Sequence, residues 1–343
     1  MTSNDGVYQA LALQTKCFAV NGMSEDESRA RIMQSIQRIG TQIRASKAFI
    51  GGDLRLVVLP EYFLTSFPAR ETIQQWQQIA CLRQDGAEYD ALSKIAQDNA
   101  VYLSGNVYEL DDNFPELYFQ TSFCIAPNGA VILRYRRLNS MFAPTPHDVW
   151  DKYLDIYGLE NVFPVADTDI GCLAAVASEE ILYPEITRCM VMRGAEIILH
   201  SSSEASSPLM MQKEVAKVTR AIESMAYVVS ANSAGIDGIG LPNDSTNGNS
   251  MIIEPHGQVS AQAAQGESMV AYAEIDLELL RRYRRRPGMS NFLSRQRFEL
   301  FAQSYADHSF YPANTLNDGI TDKSHFIKTQ AAAIKKLSDD GVI

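Results

Sequence analysis

Apolar positions along this chain fall in blocks whose spacing switches between short continuous runs and a three-to-four-residue period. Residues 7–13 form a short apolar run. Ser24 and Glu27 then have the spacing of a capping box, ahead of Ile32, Ile36, Ile39 and Ile43 on one helical face. Residues 54–59, LRLVVL, read as a strand buried on both sides, and Pro60 and Glu61 end it. An amphipathic stretch over 89–96 precedes a strand over 101–108, and Pro127, Asn128 and Gly129 turn a hairpin. Buried runs at 172–177 and 196–199 flank a helix over 186–193. A second helix, 213–226, is expected to bury Val215, Val218, Ile222 and Met225, with the next strand at 227–231. Residues 250–254 and 259–263 pair as a hairpin through Pro255, His256 and Gly257.

Strands alternating with helices imply a layered α/β domain, and the hairpins add antiparallel pairing. No repeat, low-complexity linker or composition break divides residues 1–280. Beyond them lies an Arg-rich helix, then a tail with Tyr305, Phe310 and Tyr311 and an amphipathic stretch near Ile334. That extension, 281–343, is too thin to form its own core, so it is expected to wrap the parent domain or a neighbouring subunit.

With 343 residues the chain can bury a substantial core, and its net charge of −11 argues against a general nucleic-acid or membrane-surface partner. No apolar run approaches the ~18 residues of a membrane span. The start, MTSNDG, is unlike a secretory signal, so a cytoplasmic location is expected. Arg281, Arg282, Arg284, Arg285 and Arg286 read as a solvated or intersubunit helix face in preference to an anion site. Cys17, Cys81, Cys124, Cys172 and Cys189 lack CxxC spacing and suit buried thiols. His147, His200, His256, His308 and His325 are scattered, so no metal site is expected.

Three strand ends carry candidate chemistry. Glu61 puts a carboxylate at the carboxyl end of a buried strand, where open α/β sheets place their sites and where burial favours a general base. Arg136 and Arg137 close the run 131–135 and offer a fixed cation for an oxyanion. Ser178 follows the run 171–177 directly into Glu179, Glu180 and the Tyr183-Pro184-Glu185 turn, a geometry that suits a nucleophile.

Taken in order, these segments resemble the nitrilase superfamily of carbon–nitrogen hydrolases over most of residues 7–280. LVVLPEY, 56–62, matches the glutamate motif, with Glu61 as the base. LRYRRL, 133–138, is similar to the lysine motif, with Arg137 at the lysine position. AAVASEEILYPEITRCMVMRGAEII matches the cysteine motif through Pro184, Glu185, Arg188, Gly194 and Ala195, with Ser178 at the cysteine. TRAIESMAYVVSANSAG, 219–235, and IIEPHGQV, 252–259, resemble the late strands. The resemblance implies a four-layer αββα sandwich, homodimeric or larger. It also implies a Glu, Lys, Cys triad that hydrolyses a small carboxamide through a thioester without a cofactor.

The departures are chemical. Arg137 replaces a compact ammonium with a planar fork, and Lys152 is a neighbouring candidate whose position fits less well. Ser178 replaces a thiol of pKa about 8.5 with an alcohol that needs stronger activation, so the chain is expected to be inactive or very slow. A Cys→Ser change made to trap substrate explains this more readily than a natural pseudoenzyme. Asp148, in PTPHDVW, matches a second acidic position and could orient Arg137 or a water. Tyr62, Phe63, Phe142, Trp150, Tyr183 and His200 are candidate pocket lining. Nitrile hydrolysis and a non-catalytic amide-binding protein are the alternatives. The stretch after Ser178 lacks the Trp-Glu-Asn continuation of true nitrilases, and no GxSxG elbow supports a dedicated serine hydrolase.

Overall fold

A computed structural model describes residues 6–205, 212–246, 248–317 and 323–343. One six-stranded sheet orders Tyr272–Asp276, Val7–Ala12, Leu54–Val58, Tyr102–Leu110, Tyr118–Ile125 and Val131–Arg136. The other orders Val259–Gln262, Met251–Ile253, Tyr227–Asn232, Ile197–Ser202, Gly171–Ala177 and Ala166–Thr168. Both have parallel centres and antiparallel flanks. Their carboxyl-terminal strand ends can therefore be brought to one place.

The sheets stack through a shared apolar core in which Ala10, Ala12, Leu56 and Val58 meet residues such as Leu173, Ile198 and Val228. Outside the first sheet, helix Glu25–Ile50 buries Ile32, Ile36, Ile39 and Ile43 against Leu11, Leu54 and Val57, as its periodicity predicts. Its capping box forms, with the Ser24 and Glu27 backbone N–H groups each donating to the other's side chain. Helix Ala87–Asn99 completes that layer, while Pro184–Val191 and Gln212–Ser224 cover the second sheet. The four layers are those of an αββα sandwich. Helices Ile73–Ala80 and Trp150–Tyr157 were not anticipated from the pattern.

Helix Gln212–Ser224 corrects the sequence reading. Of the expected face, Met225 is buried and Val218 packs against the core, but Val215 is 50 % exposed, and the buried positions within the helix are Ala216, Lys217, Arg220, Ala221 and Ser224. A polar stripe turns inward because it is paired: Lys217 Nζ lies 2.7 Å from Glu204, and Arg220 Nε donates to the Ile181 carbonyl at 2.9 Å. Buried charges with partners are tolerated, so apolar periodicity alone does not fix which face packs.

The arginine cluster divides. Arg281 pairs with Glu196 through two bonds, and Arg284 donates to the carbonyls of Met225 and Ala195, so both tie helix Leu277–Arg285 to the domain. Farther on, Leu316 and Phe326 pack with Phe114, Phe119 and Tyr153 of this same chain. Phe301, Tyr305 and Ile334 stay largely exposed. Among the described residues, no helix is long and apolar enough to cross a membrane.

Candidate active site

Glu61 leaves the strand Leu54–Val58 in a loop stitched to the opposite sheet. Its N–H donates to the Ser202 carbonyl at 3.2 Å, and Ser201 Oγ donates to the Leu59 carbonyl at 2.7 Å. Close packing holds the loop from the other side: a Cβ on Gly105 would meet the Phe63 ring at 2.6 Å. The Glu61 carboxylate is fully buried. Its Oε1 accepts from Gln120 Nε2 at 2.7 Å and from Arg137 Nη1 at 3.2 Å, while Oε2 has no hydrogen-bond partner among the described residues.

Arg137 follows the strand Val131–Arg136 and is spent on a dense set of acceptors. Nε donates to the Asn139 carbonyl at 2.6 Å, Nη1 to Glu61 and to Gln120 Oε1, and Nη2 pairs with Glu179. Four of its five N–H bonds are thereby engaged. Burial opposes its charge, but Glu61 and Glu179 outweigh that cost and hold its pKa above the ordinary arginine value.

Ser178 ends the strand Gly171–Ala177 and opens a 3₁₀ turn, Ser178–Leu182, with φ at +48°. A non-glycine residue in the left-handed region is uncommon and costs energy, so neighbouring contacts must hold it. His200 supplies one. Its Nε2 lies 2.9 Å from the Ser178 carbonyl, and its Nδ1 lies 2.8 Å from Ser230 Oγ. Burial, with Lys217 nearby, drops the His200 pKa to about 3, so the ring is neutral. A carbonyl can only accept, so Nε2 carries the hydrogen and Nδ1 accepts from Ser230. On the other side, Lys213 Nζ donates to Ser178 Oγ at 3.2 Å.

Glu180, also fully buried, shapes the same corner. Its Oε1 accepts from the N–H groups of Leu138 and Asn139 at 2.7 and 2.8 Å, and its Oε2 from Tyr135 Oη at 2.9 Å. Burial raises its pKa to about 7 against the opposing pull of Arg137 and these donors. Glu180 therefore joins the chain just beyond Arg137 to the turn that starts at Ser178.

The expected site residues separate on this geometry. Glu61, Arg137 and Glu179 form one connected cluster, and Ser178 adjoins it as the residue before Glu179. Asp148 does not orient Arg137: its oxygens accept from Thr145 N, Thr145 Oγ1 and Thr315 Oγ1, which caps a local turn. Lys152 is no substitute cation, since its ammonium donates to the Asn113 carbonyl and lies over the Phe114 ring. His200 grips backbone, as described, where pocket lining was expected. Tyr62 stacks on Tyr108, and burial with the nearby Glu61 charge pushes its phenol well above the usual range. Tyr183 is 44 % exposed and helps line a cavity of about 590 Å³ with Leu138, Trp150, Phe163, Glu179 and Phe326. Phe326 brings the C-terminal extension to the edge of the site. Sequence reading passed over Gln120, Glu180 and Lys213.

The family model for carbon-nitrogen hydrolases matches residues 12–285. This chain is a carbon–nitrogen hydrolase by family. Among curated relatives, the formamidase of Bacillus thuringiensis (strain Al Hakam) is 29% identical over 214 residues, which cover 62% of this chain and 60% of that enzyme. The chain thus spans about 60% of the length of the curated relatives it matches. The fold is shared with a carbon–nitrogen hydrolase from Helicobacter pylori G27, with TM-score 0.65, 22% identity and coverage of 88% of this chain and 99% of that one. It is shared also with Saccharomyces cerevisiae Nit3, of the nitrilase superfamily, with TM-score 0.64, 19% identity and coverage of 81% and 93%. Within this carbon–nitrogen hydrolase, the cluster lies where the two sheets are stitched together.

Proposed function

We propose that this chain recognises a small carboxamide where Glu61, Arg137 and Ser178 converge, and that acyl transfer from it passes through residue 178. The buried Glu61 carboxylate carries the reading. Gln120 and Arg137 fix its Oε1, and Oε2 has no hydrogen-bond partner among the described residues. Such a group is a proton acceptor with one working oxygen.

In a thiol-bearing form of the site, Glu61 takes the proton of residue 178 as sulfur attacks the carboxamide carbon. The carbonyl π pair moves onto oxygen, which the remaining Arg137 N–H and the backbone near Glu179 stabilise. The C–N bond then breaks, Glu61 returns the proton to nitrogen, and ammonia or an amine leaves. Water attacks the thioester with Glu61 as base, the C–S bond breaks, the thiolate regains the proton from Glu61, and the carboxylic acid departs.

Serine makes the first step harder, because a carboxylate is a poor base for an alcohol. The native chain is accordingly a weak or inert hydrolase that still binds carboxamide. Two departures occur together, Arg137 and Ser178, and a lysine rests on the serine oxygen. This favours a serine-bearing site adapted as a whole, in place of the single introduced replacement expected from the sequence. The formamidase relatives put the smallest carboxamides first in any substrate panel.

The test is ammonia release from matched carboxamides and nitriles by the native chain and by Ser178→Cys. The thiol variant is expected to act on carboxamides about a hundredfold faster or more, a barrier difference of about 2.7 kcal/mol. A thiol variant that binds carboxamide but forms no adduct and no ammonia refutes the hydrolase reading and leaves a binding protein. Release from nitriles alone reassigns the reaction to nitrile hydrolysis.

A further inference from the structure

We infer that Lys213 is the catalytic cation of this site, acting from the helix Gln212–Ser224 on the side chain of residue 178. It takes a place that the strand-end cation, Arg137, cannot fill.

Two independent observations meet in this assignment. Arg137 has four of its five N–H bonds committed to Glu61, Gln120, Glu179 and the Asn139 carbonyl. Its guanidinium works as a clamp on the base and keeps little to offer a nucleophile. Lys213 Nζ, by contrast, lies 3.2 Å from Ser178 Oγ, within reach of a charge-assisted hydrogen bond. The helix is turned for this purpose. Lys217, one turn on, faces inward to Glu204, and the apolar residues Val215 and Val218 do not supply the fully buried face. The neutral His200 ring holds the Ser178 carbonyl, which fixes the backbone while leaving Oγ to Lys213.

The role follows from where charge develops. As Oγ attacks the carboxamide carbon, its proton passes to Glu61 and its lone pair forms the new C–O bond, while the carbonyl π pair moves to oxygen. An ammonium at Oγ stabilises alkoxide character early in that step and holds the oxygen in line. When the C–N bond breaks, Glu61 gives its proton to nitrogen and an ester remains on residue 178. Water, deprotonated by Glu61, attacks the ester, and Oγ leaves as an alkoxide that regains the proton from Glu61 with the same ammonium beside it. Lys213 neither gains nor loses a proton over the cycle.

The inference rests on the proposed carboxamide reaction only for the bond attacked, so its test avoids substrate. Ser178→Cys makes the ionisation of residue 178 readable through the pH dependence of iodoacetamide alkylation. Among the described residues, the charged or titrating groups of this corner include Glu61, Tyr62, Tyr135, Arg137, Glu179, Glu180, Tyr183, His200, Glu204, Lys213 and Lys217, and only Lys213 is changed. Adding Lys213→Met to Ser178→Cys is expected to raise the thiol pKa by about 1–3 units, the range for loss of an adjacent opposite charge. Lys213→Arg should restore at least half of that shift. Lys213 is only partly buried, so all three variants should keep the native circular dichroism spectrum. Identical alkylation profiles with and without Lys213→Met overturn the assignment, as does a shift that Lys213→Arg leaves unrestored. If the shift appears while carboxamides neither bind nor react, the assignment of Lys213 stands and the carboxamide reading falls.

Discussion

Replacing Glu180 with glutamine should make the protein more stable at pH 8 and leave it nearly unchanged at pH 4.5. The buried carboxyl accepts two backbone N–H groups on one oxygen and the Tyr135 phenol on the other. Glutamine can keep this set, its carbonyl oxygen accepting both N–H groups and its amide donating to the Tyr135 oxygen. What it removes is the charge. Burial raises the Glu180 pKa from 4.5 to about 7, so between these values the unfolded carboxyl has released its proton and the folded one has not. The unfolded state then binds fewer protons, and native stability falls as pH rises through that window. The span from 4.5 to about 7, at about 1.36 kcal/mol for each tenfold in proton affinity, comes to about 3 kcal/mol. Urea unfolding of both proteins between pH 4.5 and 8 reads the difference directly. Glu180→Gln should gain about 3 kcal/mol on the native chain across the range, with most of the change before pH 7. Parallel stability curves would show that the carboxyl ionises as easily inside the fold as outside it, and would refute the argument.

Two further outcomes follow from other buried groups. Glu204 is held down to about 2: burial opposes ionisation, but the neighbouring Lys217 ammonium outweighs it. Its contribution is present above 4.5 and lost as pH falls through about 2. Lys217→Met leaves that carboxylate buried and should cost about 3–5 kcal/mol at pH 7 by urea unfolding, with the deficit narrowing toward pH 4. A deficit that does not change with pH would mean lost packing, not lost charge. Phe326→Ala should remove about 3 kcal/mol of docking energy from the C-terminal extension, because the ring packs with Phe114, Phe119 and Tyr153. Limited proteolysis should then cut within 323–343 about a hundredfold faster, at about 1.4 kcal/mol per tenfold. Unchanged cleavage would show that Phe326 does not hold the extension down.

The sequence by itself determined where the main chemical groups stand along the chain. Glu61, Arg137 and Ser178 follow strands whose apolar runs are legible, and a residue just past a buried strand has little choice but the sheet's edge. The capping box at Ser24 and Glu27, the inward isoleucines and the late hairpin were equally local, set by spacings of a few residues. The layers follow as well, because alternating strands and helices have few ways to bury both faces.

Tertiary structure decided which groups meet. Gln120 looks like one more polar residue in a strand until that strand lies between Asn106 and Arg137. Asp148 and Lys152 have suitable chemistry in a suitable stretch, yet nearby backbone and hydroxyl groups claim them first. Lys213 was hidden because the helix was read by its apolar stripe, whereas buried ion pairs turned the polar stripe inward. Hydrophobic period is a property of one segment, and the cost of burying a charge depends on partners that arrive from elsewhere in the chain. For that reason the sequence could place a serine at the end of its strand, and only the folded chain could set a lysine beside its oxygen.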